Sequence, residues 1–334
     1  MFNNKTILVT GGTGSFGRAF LKKISKDYKP KRIIVFSRDE LKQSEMRKEI
    51  DQKTLRNFRF FIGDVRDKER LSIALNKVDI VVHAAALKQV DAAEYNPLET
   101  IKTNIIGAQN LILGCLSNNV EKILALSTDK ACSPINLYGA TKLASDKLFV
   151  SANGIAGNKN CKFSVLRYGN VMASRGSVIP YFKELAKKKK PLPITDLNMT
   201  RFSLTLSESV KFAEKSLSLM VGGEIFVPKI ASYKILDLVN AISGTRKYKL
   251  VGVRPGEKNH EELISRYDFR KTIDIKDFYI IIPDTKVATW KEEKFKKQNK
   301  IKKILYSKIL KSYSSDTNKK FLSVKELKNL IKNI

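Results

Sequence analysis

Thr6-Ile7-Leu8-Val9-Thr10-Gly11-Gly12-Thr13-Gly14-Ser15-Phe16-Gly17 is the stretch that decides the fold. A short apolar β-rich run feeds straight into a glycine-rich turn, and a helical pattern begins at Phe16. Gly11 permits the tight turn, Gly14 lets backbone approach a pyrophosphate, and Gly17 lets helix and strand pack closely. In this context, between a first strand and a first helix, the turn reads as a dinucleotide cradle, with Thr13, Ser15 and Phe16 along the same arc.

Outward from the cradle, apolar runs and helical patterns alternate. Thr6–Thr10, Arg32–Ser37, Phe58–Gly63, Asp79–Ala84, Ile123–Ser127 and Phe163–Arg167 read as strands, apolar on both faces and therefore parallel and buried. Phe16–Tyr28, Glu40–Asp51, Lys68–Asn76, Leu98–Asn118 and Leu137–Ser151 carry helical periodicity. The expected fold is α/β, a Rossmann-like doubly wound parallel sheet. After Val171 the rhythm changes: Pro180, Pro191, Pro193, Pro228 and Pro255 punctuate shorter elements, and a last helix is expected over Ser323–Ile331. The expected division is a dinucleotide-binding domain over residues 1–171 and a smaller α/β substrate-binding domain over 172–334, with segments free to return to the first core.

Composition narrows the class. With 63 Lys+Arg against 33 Asp+Glu, the 334-residue chain has a formal charge of +30, which favours anionic partners without naming one. From Lys286 to Ile334 there are 15 lysines, no arginine and four acids, a net of +11. That stretch reads as solvated surface rather than a polyanion-binding arm. Three irregularly spaced cysteines, Cys115, Cys132 and Cys161, suit neither a disulfide framework nor a thiolate metal site. The two histidines, His83 and His260, leave little material for a metal centre or a histidine triad. No apolar run reaches membrane-spanning length and no leader pattern is seen, so a soluble cytoplasmic protein is expected, with no membrane association.

At the end of the second strand the sequence reads Phe36-Ser37-Arg38-Asp39. A hydroxyl and a guanidinium suit a 2′-phosphate, and Lys42 stands one turn further on, so NADP is expected over NAD; Asp39 keeps NAD open. Asp64 and Val65 follow the third strand. Either Asp64 accepts from an adenine amino group while Val65 covers the ring, or Asp64 only caps the helix starting near Asp67.

The chemistry lies after the fifth strand, in Ser127-Thr128-Asp129-Lys130, and at the start of the next helix, in Tyr138-Gly139-Ala140-Thr141-Lys142. Tyr138 and Lys142 share one helix face. A nearby ammonium favours tyrosinate, so Tyr138 is expected to take a hydroxyl proton while Thr128 orients that hydroxyl.

At these residues the chain resembles the extended short-chain dehydrogenase/reductases. Leu126-Ser127-Thr128-Asp129-Lys130-Ala131 narrows the resemblance to the inverting UDP-N-acetylglucosamine 4,6-dehydratases. It runs over nearly the whole chain, through His83-Ala84-Ala85-Ala86-Leu87-Lys88, Arg167-Tyr168-Gly169-Asn170-Val171, Ser174-Arg175-Gly176-Ser177-Val178, Met199-Thr200-Arg201-Phe202 and Arg254-Pro255-Gly256-Glu257-Lys258.

The resemblance implies a closed redox cycle: NADP⁺ oxidises carbon 4 of the sugar, water leaves across carbons 5 and 6, and the hydride returns to carbon 6. It also implies Lys130 as the carbon 5 base and Asp129 as the acid for the departing hydroxyl, with crowding by cofactor charge and Lys142 depressing the Lys130 pKa. Ala84, Ala85, Ala86 and Lys88 are implied at the cofactor, and Lys88, Asn104, Asn170, Arg175, Thr200, Arg201, Arg254 and Glu257 at UDP-N-acetylglucosamine. Retaining relatives generally carry Asp-Glu where Asp129-Lys130 stands, and a related group lacks the tyrosine. Tyr138 therefore implies the branch that feeds pseudaminic acid biosynthesis and flagellin glycosylation. A homo-oligomer is implied as well.

Two rivals remain at this point. A UDP-sugar 4-epimerase shares Thr128, Tyr138 and Lys142 but does not need Asp129-Lys130. A non-catalytic NADP-sensing or nucleic-acid-binding protein needs neither Tyr138 nor Lys142, so no nucleic-acid partner is expected.

Overall fold

The computed structural model describes residues 1–157, 159–172, 178–244, 247–288, 290–306 and 312–332. Six strands carry the first half: β1 (Thr6–Thr10), β2 (Arg32–Ser37), β3 (Phe58–Ile62), β4 (Ile80–His83), β5 (Lys122–Thr128) and β6 (Lys162–Tyr168). Their spatial order is β3-β2-β1-β4-β5-β6, continued by the strand Ile225–Pro228, and every neighbouring pair among these seven is parallel. Three antiparallel strands, Phe278–Ile281, Thr272–Ile275 and Leu305–Tyr306, finish the sheet. All five residues of β1 are buried, as apolar cover on both faces requires.

The order reverses between β1 and β4, and their carboxyl ends open a crevice there. This is the topological switch point at which open α/β sheets bind ligands. Both the glycine-rich turn after β1 and Ala84–Ala86 after β4 face it.

Two expected helices differ in the structure. The segment Leu98–Asn118 is not one regular helix but Pro97–Ile101, a π turn at Lys102–Ile106, and Gly107–Ser117. The wide turn accompanies Asn104, whose side chain is buried and bonded to the loop at Leu87. The segment Glu40–Asp51 is helical only to Lys48, because the Asp51 carboxylate accepts from Thr54 N and starts a separate turn at Gln52–Leu55.

The core falls into two clusters. The larger surrounds the sheet and includes Val9, Val35, Val82, Leu124, Phe163 and Phe226. The smaller joins Met172, Ile179, Phe182, Leu192, Leu238 and Leu327. The chain enters the smaller cluster after Tyr168, leaves it by Phe202, re-enters between Ile230 and Tyr233, leaves before Leu263 and returns after Tyr313. The second half is therefore shared between both clusters.

Candidate active site

Two clefts meet over the carboxyl edge of the sheet. The first, about 430 Å³, is walled by Gly11, Gly14, Gly17, Ala85, Thr128 and Tyr138. The second, about 660 Å³, is walled by Arg201, Tyr233, Arg254, Glu257 and Glu261. Lys88, Gln89, Lys130 and Asn170 belong to both, so Lys130 stands where the two join.

The first cleft fits a dinucleotide. Gly11 has φ +65°, and a Cβ there would sit 2.9 Å from Ala84 O; a Cβ on Gly17 would meet Gly12 O at 2.5 Å. Both positions require glycine. Gly14 caps the helix Ser15–Asp27 without a side-chain hydrogen bond, so first-turn N–H groups are left to serve an anion. Thr13 is buried, while Ser15 and Phe16 line the cleft.

Ser37, Arg38, Asp39 and Lys42, after β2, lie outside the lining of this cleft; Ser37 Oγ accepts from Gln43 Nε2 at 2.9 Å. Asp39 caps the helix Glu40–Lys48, accepting from Lys42 N at 2.9 Å, and pairs with the Lys42 ammonium. The carboxylate that kept NAD open is thus engaged locally. Arg38 is largely exposed, and its only ion pair among the described residues is a loose one, 3.8 Å from Asp64.

Asp64 accepts from Arg66 N and pairs with the Arg66 guanidinium; the helix cap is Asp67 instead. Val65 is buried and packs against Gly107, where an added Cβ would come within 2.7 Å of it. Arg18, which the sequence did not single out, ties the cradle to the next helix by donating to Thr13 O and Lys42 O.

The reacting end is built from β5 and the helix Leu137–Ile155. Asn136 caps that helix through Gly139 N at 2.7 Å and also donates to Gly256 O. Thr128 Oγ1 donates to Asp129 Oδ1 at 2.9 Å and accepts from Lys130 N at 3.3 Å. Lys130 Nζ lies 3.1 Å from Asp129 Oδ1, 3.1 Å from Glu261 Oε1 and 3.5 Å from Asn170 Oδ1. Asp129 and Glu261 are almost fully buried, 1% and 2% exposed.

The electrostatics correct two expectations. Burial opposes the charge on Lys130, but Asp129 and Glu261 outweigh it, so the Lys130 pKa is raised rather than depressed. Burial pushes Tyr138 up to about 12, against the pull of Lys130 and Thr128. The cation acting on Tyr138 is thus Lys130. Lys142, whose own pKa is lowered by burial, donates to Leu126 O at 2.8 Å. Asp129 is raised, first by burial and then by Glu261, which suits a proton donor. Glu261 is lowered despite burial, because Lys130 and Arg201 face it.

In the second cleft, Arg201 is buried and pinned by Thr200 O, Asn259 O and Glu257 Oε1, the last at 3.1 Å. Arg254 is two-thirds exposed and 3.8 Å from Glu257. Two expected substrate residues lie behind the walls instead. Thr200 bonds His260 and Ser315, and Asn104 holds Leu87 by both backbone atoms, so each positions a loop. Arg175 lies outside the described residues.

Besides Arg18, the sequence reading missed Glu261 and the buried Asp146–Arg167 pair. Asp146 accepts from Ser127 Oγ and Arg167 Nη2. An arginine inside an otherwise apolar strand was the available signal for that pair. Glu261 had none.

Fold and site together define an extended short-chain dehydrogenase/reductase. A family model described as polysaccharide biosynthesis protein matches residues 7–283, and the chain belongs to that family. It is 54% identical, over 99% of its length and 98% of the relative, to a UDP-N-acetylglucosamine 4,6-dehydratase (inverting) of Campylobacter jejuni subsp. jejuni. It is also 40% identical, over all of its length and 97% of the relative, to a UDP-glucose 4-epimerase of Rickettsia bellii. Among solved structures, Pen from Bacillus thuringiensis superposes with a TM-score of 0.87 at 35% identity, covering 100% of this chain and 99% of that one.

Proposed function

We propose that the protein is an NADP-dependent UDP-N-acetylglucosamine 4,6-dehydratase, a hydro-lyase that inverts carbon 5. The product is UDP-2-acetamido-2,6-dideoxy-β-L-arabino-hex-4-ulose. The observation that carries this reading is the Lys130 ammonium held between Asp129 and Glu261 beside Tyr138, where the two clefts join. Gly11, Gly14, Ser15 and Phe16 would hold a dinucleotide in the first cleft, where it would supply the hydride chemistry between carbon 4 and carbon 6.

The remaining steps belong to side chains of the chain. Thr128 orients the carbon 4 hydroxyl, and Tyr138 takes its proton once Lys130 and the positive charge of a bound oxidised nicotinamide draw it toward tyrosinate against the burial that opposes it. A ketone at carbon 4 acidifies carbon 5, whose proton goes to Lys130 Nζ. Asp129, whose pKa is raised by burial and by Glu261, in its protonated form gives its proton to the departing carbon 6 hydroxyl, which leaves as water. Hydride return to carbon 6 leaves an enolate at carbon 5, which takes a solvent-derived proton on the opposite face, while Lys130 releases to solvent the proton it removed; the proton gained by Tyr138 then matches the one lost by Asp129. Arg254 and Arg201 supply cations for the diphosphate, and Lys88, Asn170 and Glu257 face the same cleft. Arg175 is assigned to the substrate by its motif alone.

NADP is favoured over NAD because Arg38 is exposed while Asp39 is engaged as a cap. The 40% identical epimerase favours the competing reading, 4-epimerisation, which leaves Asp129, Lys130 and Glu261 without work. The pathway assignment is the first step of pseudaminic acid biosynthesis, in the cytoplasm. Among the described residues no helix is long and apolar enough to cross a membrane. Exposed Tyr95, Leu98 and Ile106, on three neighbouring helical segments, support self-association.

The test is mass and proton NMR of the product formed from UDP-N-acetylglucosamine in deuterated water. Loss of water, deuterium at carbon 5 and an L-arabino ring are expected. Unchanged mass with a carbon 4 epimer overturns the assignment.

A further inference from the structure

We propose that Glu261 is the internal proton acceptor that turns Lys130 into a neutral base, a positioning residue that acts through the Lys130 amine and not on the sugar. The proposal rests on the reaction assigned above, which requires an uncharged amine at carbon 5. In the resting protein the carboxyl groups beside Lys130 work against that requirement and outweigh burial and Arg201, which favour it. Its ammonium has two carboxylates at 3.1 Å, and the charged form is the favoured one.

The two carboxylates are not equivalent. Asp129 accepts from Thr128 and is the one burial drives toward its protonated form. Glu261 faces Lys130 and, at 3.9 Å, Arg201, and stays ionised. Neither Asp129 Oδ2 nor Glu261 Oε2 has a hydrogen-bond partner among the described residues, so each carboxyl group keeps an oxygen in reserve. Protonated Asp129, the Lys130 ammonium and the Glu261 carboxylate together carry no net charge.

Moving one proton along the 3.1 Å contact breaks an N–H bond on Lys130 and forms an O–H bond on Glu261. Net charge is unchanged, and an ion pair becomes a neutral pair. Water favours the ion pair; a cleft filled by substrate shifts the balance toward the neutral one. The lone pair freed on Lys130 then takes the carbon 5 proton, while Asp129 keeps its own for the leaving hydroxyl. Base and acid are thus armed together in a site that begins with one mobile proton too few for two independent carboxylic acids. The groups facing Glu261 are Asp129 and Lys130 after β5, Arg201, Tyr233 on the strand Ala231–Lys234, and Lys258 on its own loop.

The experiment uses Glu261→Gln holoenzyme, which keeps the shape and a hydrogen-bond partner for Lys130 but cannot take its proton. At neutral pH, dehydration and deuterium uptake at carbon 5 are expected to fall about 100-fold, the scale of one acid–base contribution. The KM for the sugar nucleotide and single-turnover reduction of the nicotinamide are expected to persist. The deficit should close as pH rises, because Lys130 then loses its proton to solvent without help. Glu261→Asp, which restores a carboxylate, should recover most of the neutral-pH rate. Wild-type-like dehydration by the Gln variant overturns the proposal, and so does a deficit that is independent of pH or shared by nicotinamide reduction. If wild-type enzyme gives no dehydrated product, the assigned reaction itself fails, which separates the two outcomes.

Discussion

Arg38 follows β2 and His83 ends β4, the two strands that flank β1. Arg38 projects beyond β2 with only a loose tie to Asp64. A charge-assisted bond to a phosphate contributes roughly 1.5–3 kcal/mol, so Arg38→Ala is expected to weaken NADP binding by about 10- to 100-fold while NAD binding changes little. Calorimetric titration with each cofactor checks the ratio; equal losses exclude 2′-phosphate recognition. His83 is buried beneath the cradle, bonded through Nδ1 to Thr10 Oγ1, and burial, with a smaller push from Lys142, lowers its pKa from 6.5 to about 3. The unfolded chain therefore binds a proton that the folded chain refuses between those values. Stability is full above pH 6.5 and falls as pH drops through the window, by up to about 1.4 kcal/mol per unit from this residue alone. His83→Asn cannot titrate, and its denaturation midpoints should show a shallower acid slope than wild type.

At the scale of elements, the helix Leu137–Ile155 does more than carry Tyr138 and Lys142. Gly139 lies against the turn that holds Asp129 and Lys130, and a Cβ there would reach 2.2 Å from Lys130 O. Gly139→Ala must move either the helix or the turn. A stability loss of roughly 1–3 kcal/mol is expected from the overpacking, with turnover falling further because Lys130 leaves its carboxylates. Thermal melting and product assay decide it, and a stable, fully active variant shows that the close approach is not needed. The six strands and most helices of the first half were legible because two-sided burial and helical periodicity leave marks on consecutive residues; of the second half, only the last helix was read, because its strands and helices are short and broken by prolines. The break at Lys102–Ile106 was not, since the residues there still follow an apolar helical rhythm and only the tertiary bond from Asn104 to Leu87 reveals the wide turn. Similarly, Thr128, Asp129, Lys130 and Tyr138 lie within eleven residues and announce themselves. Glu261 arrives from more than a hundred residues away, in a stretch without periodicity, and acquires its meaning only from the 3.1 Å contact.

The whole molecule places a large sheet core beside a small cluster, and the second cleft is walled in part by Phe182, Ile194 and Met199 of the small one. The smaller cluster buries far fewer apolar side chains and is expected to open first. Uridine diphosphate at a hundred times its Kd adds about 2.7 kcal/mol to states that bind it. In hydrogen exchange, added nucleotide should slow the amides of Val178–Lys187 and Ile235–Ser243 more than those of β1 and β4. Uniform slowing implies one cooperative unit instead.

The repeated passage of the chain between the two clusters sets a limit on tailoring. Met172 with residues 178–199, then residues 231–242, then 322–331 reach the small cluster as separate inserts, and between them Phe202, Phe226, Leu263 and Phe278 return to the sheet. No single cut releases a sugar-recognition cassette. A change of substrate must therefore come by point replacement in place, or by transplanting three pieces at once, and recombination at one junction yields a chain that completes neither half.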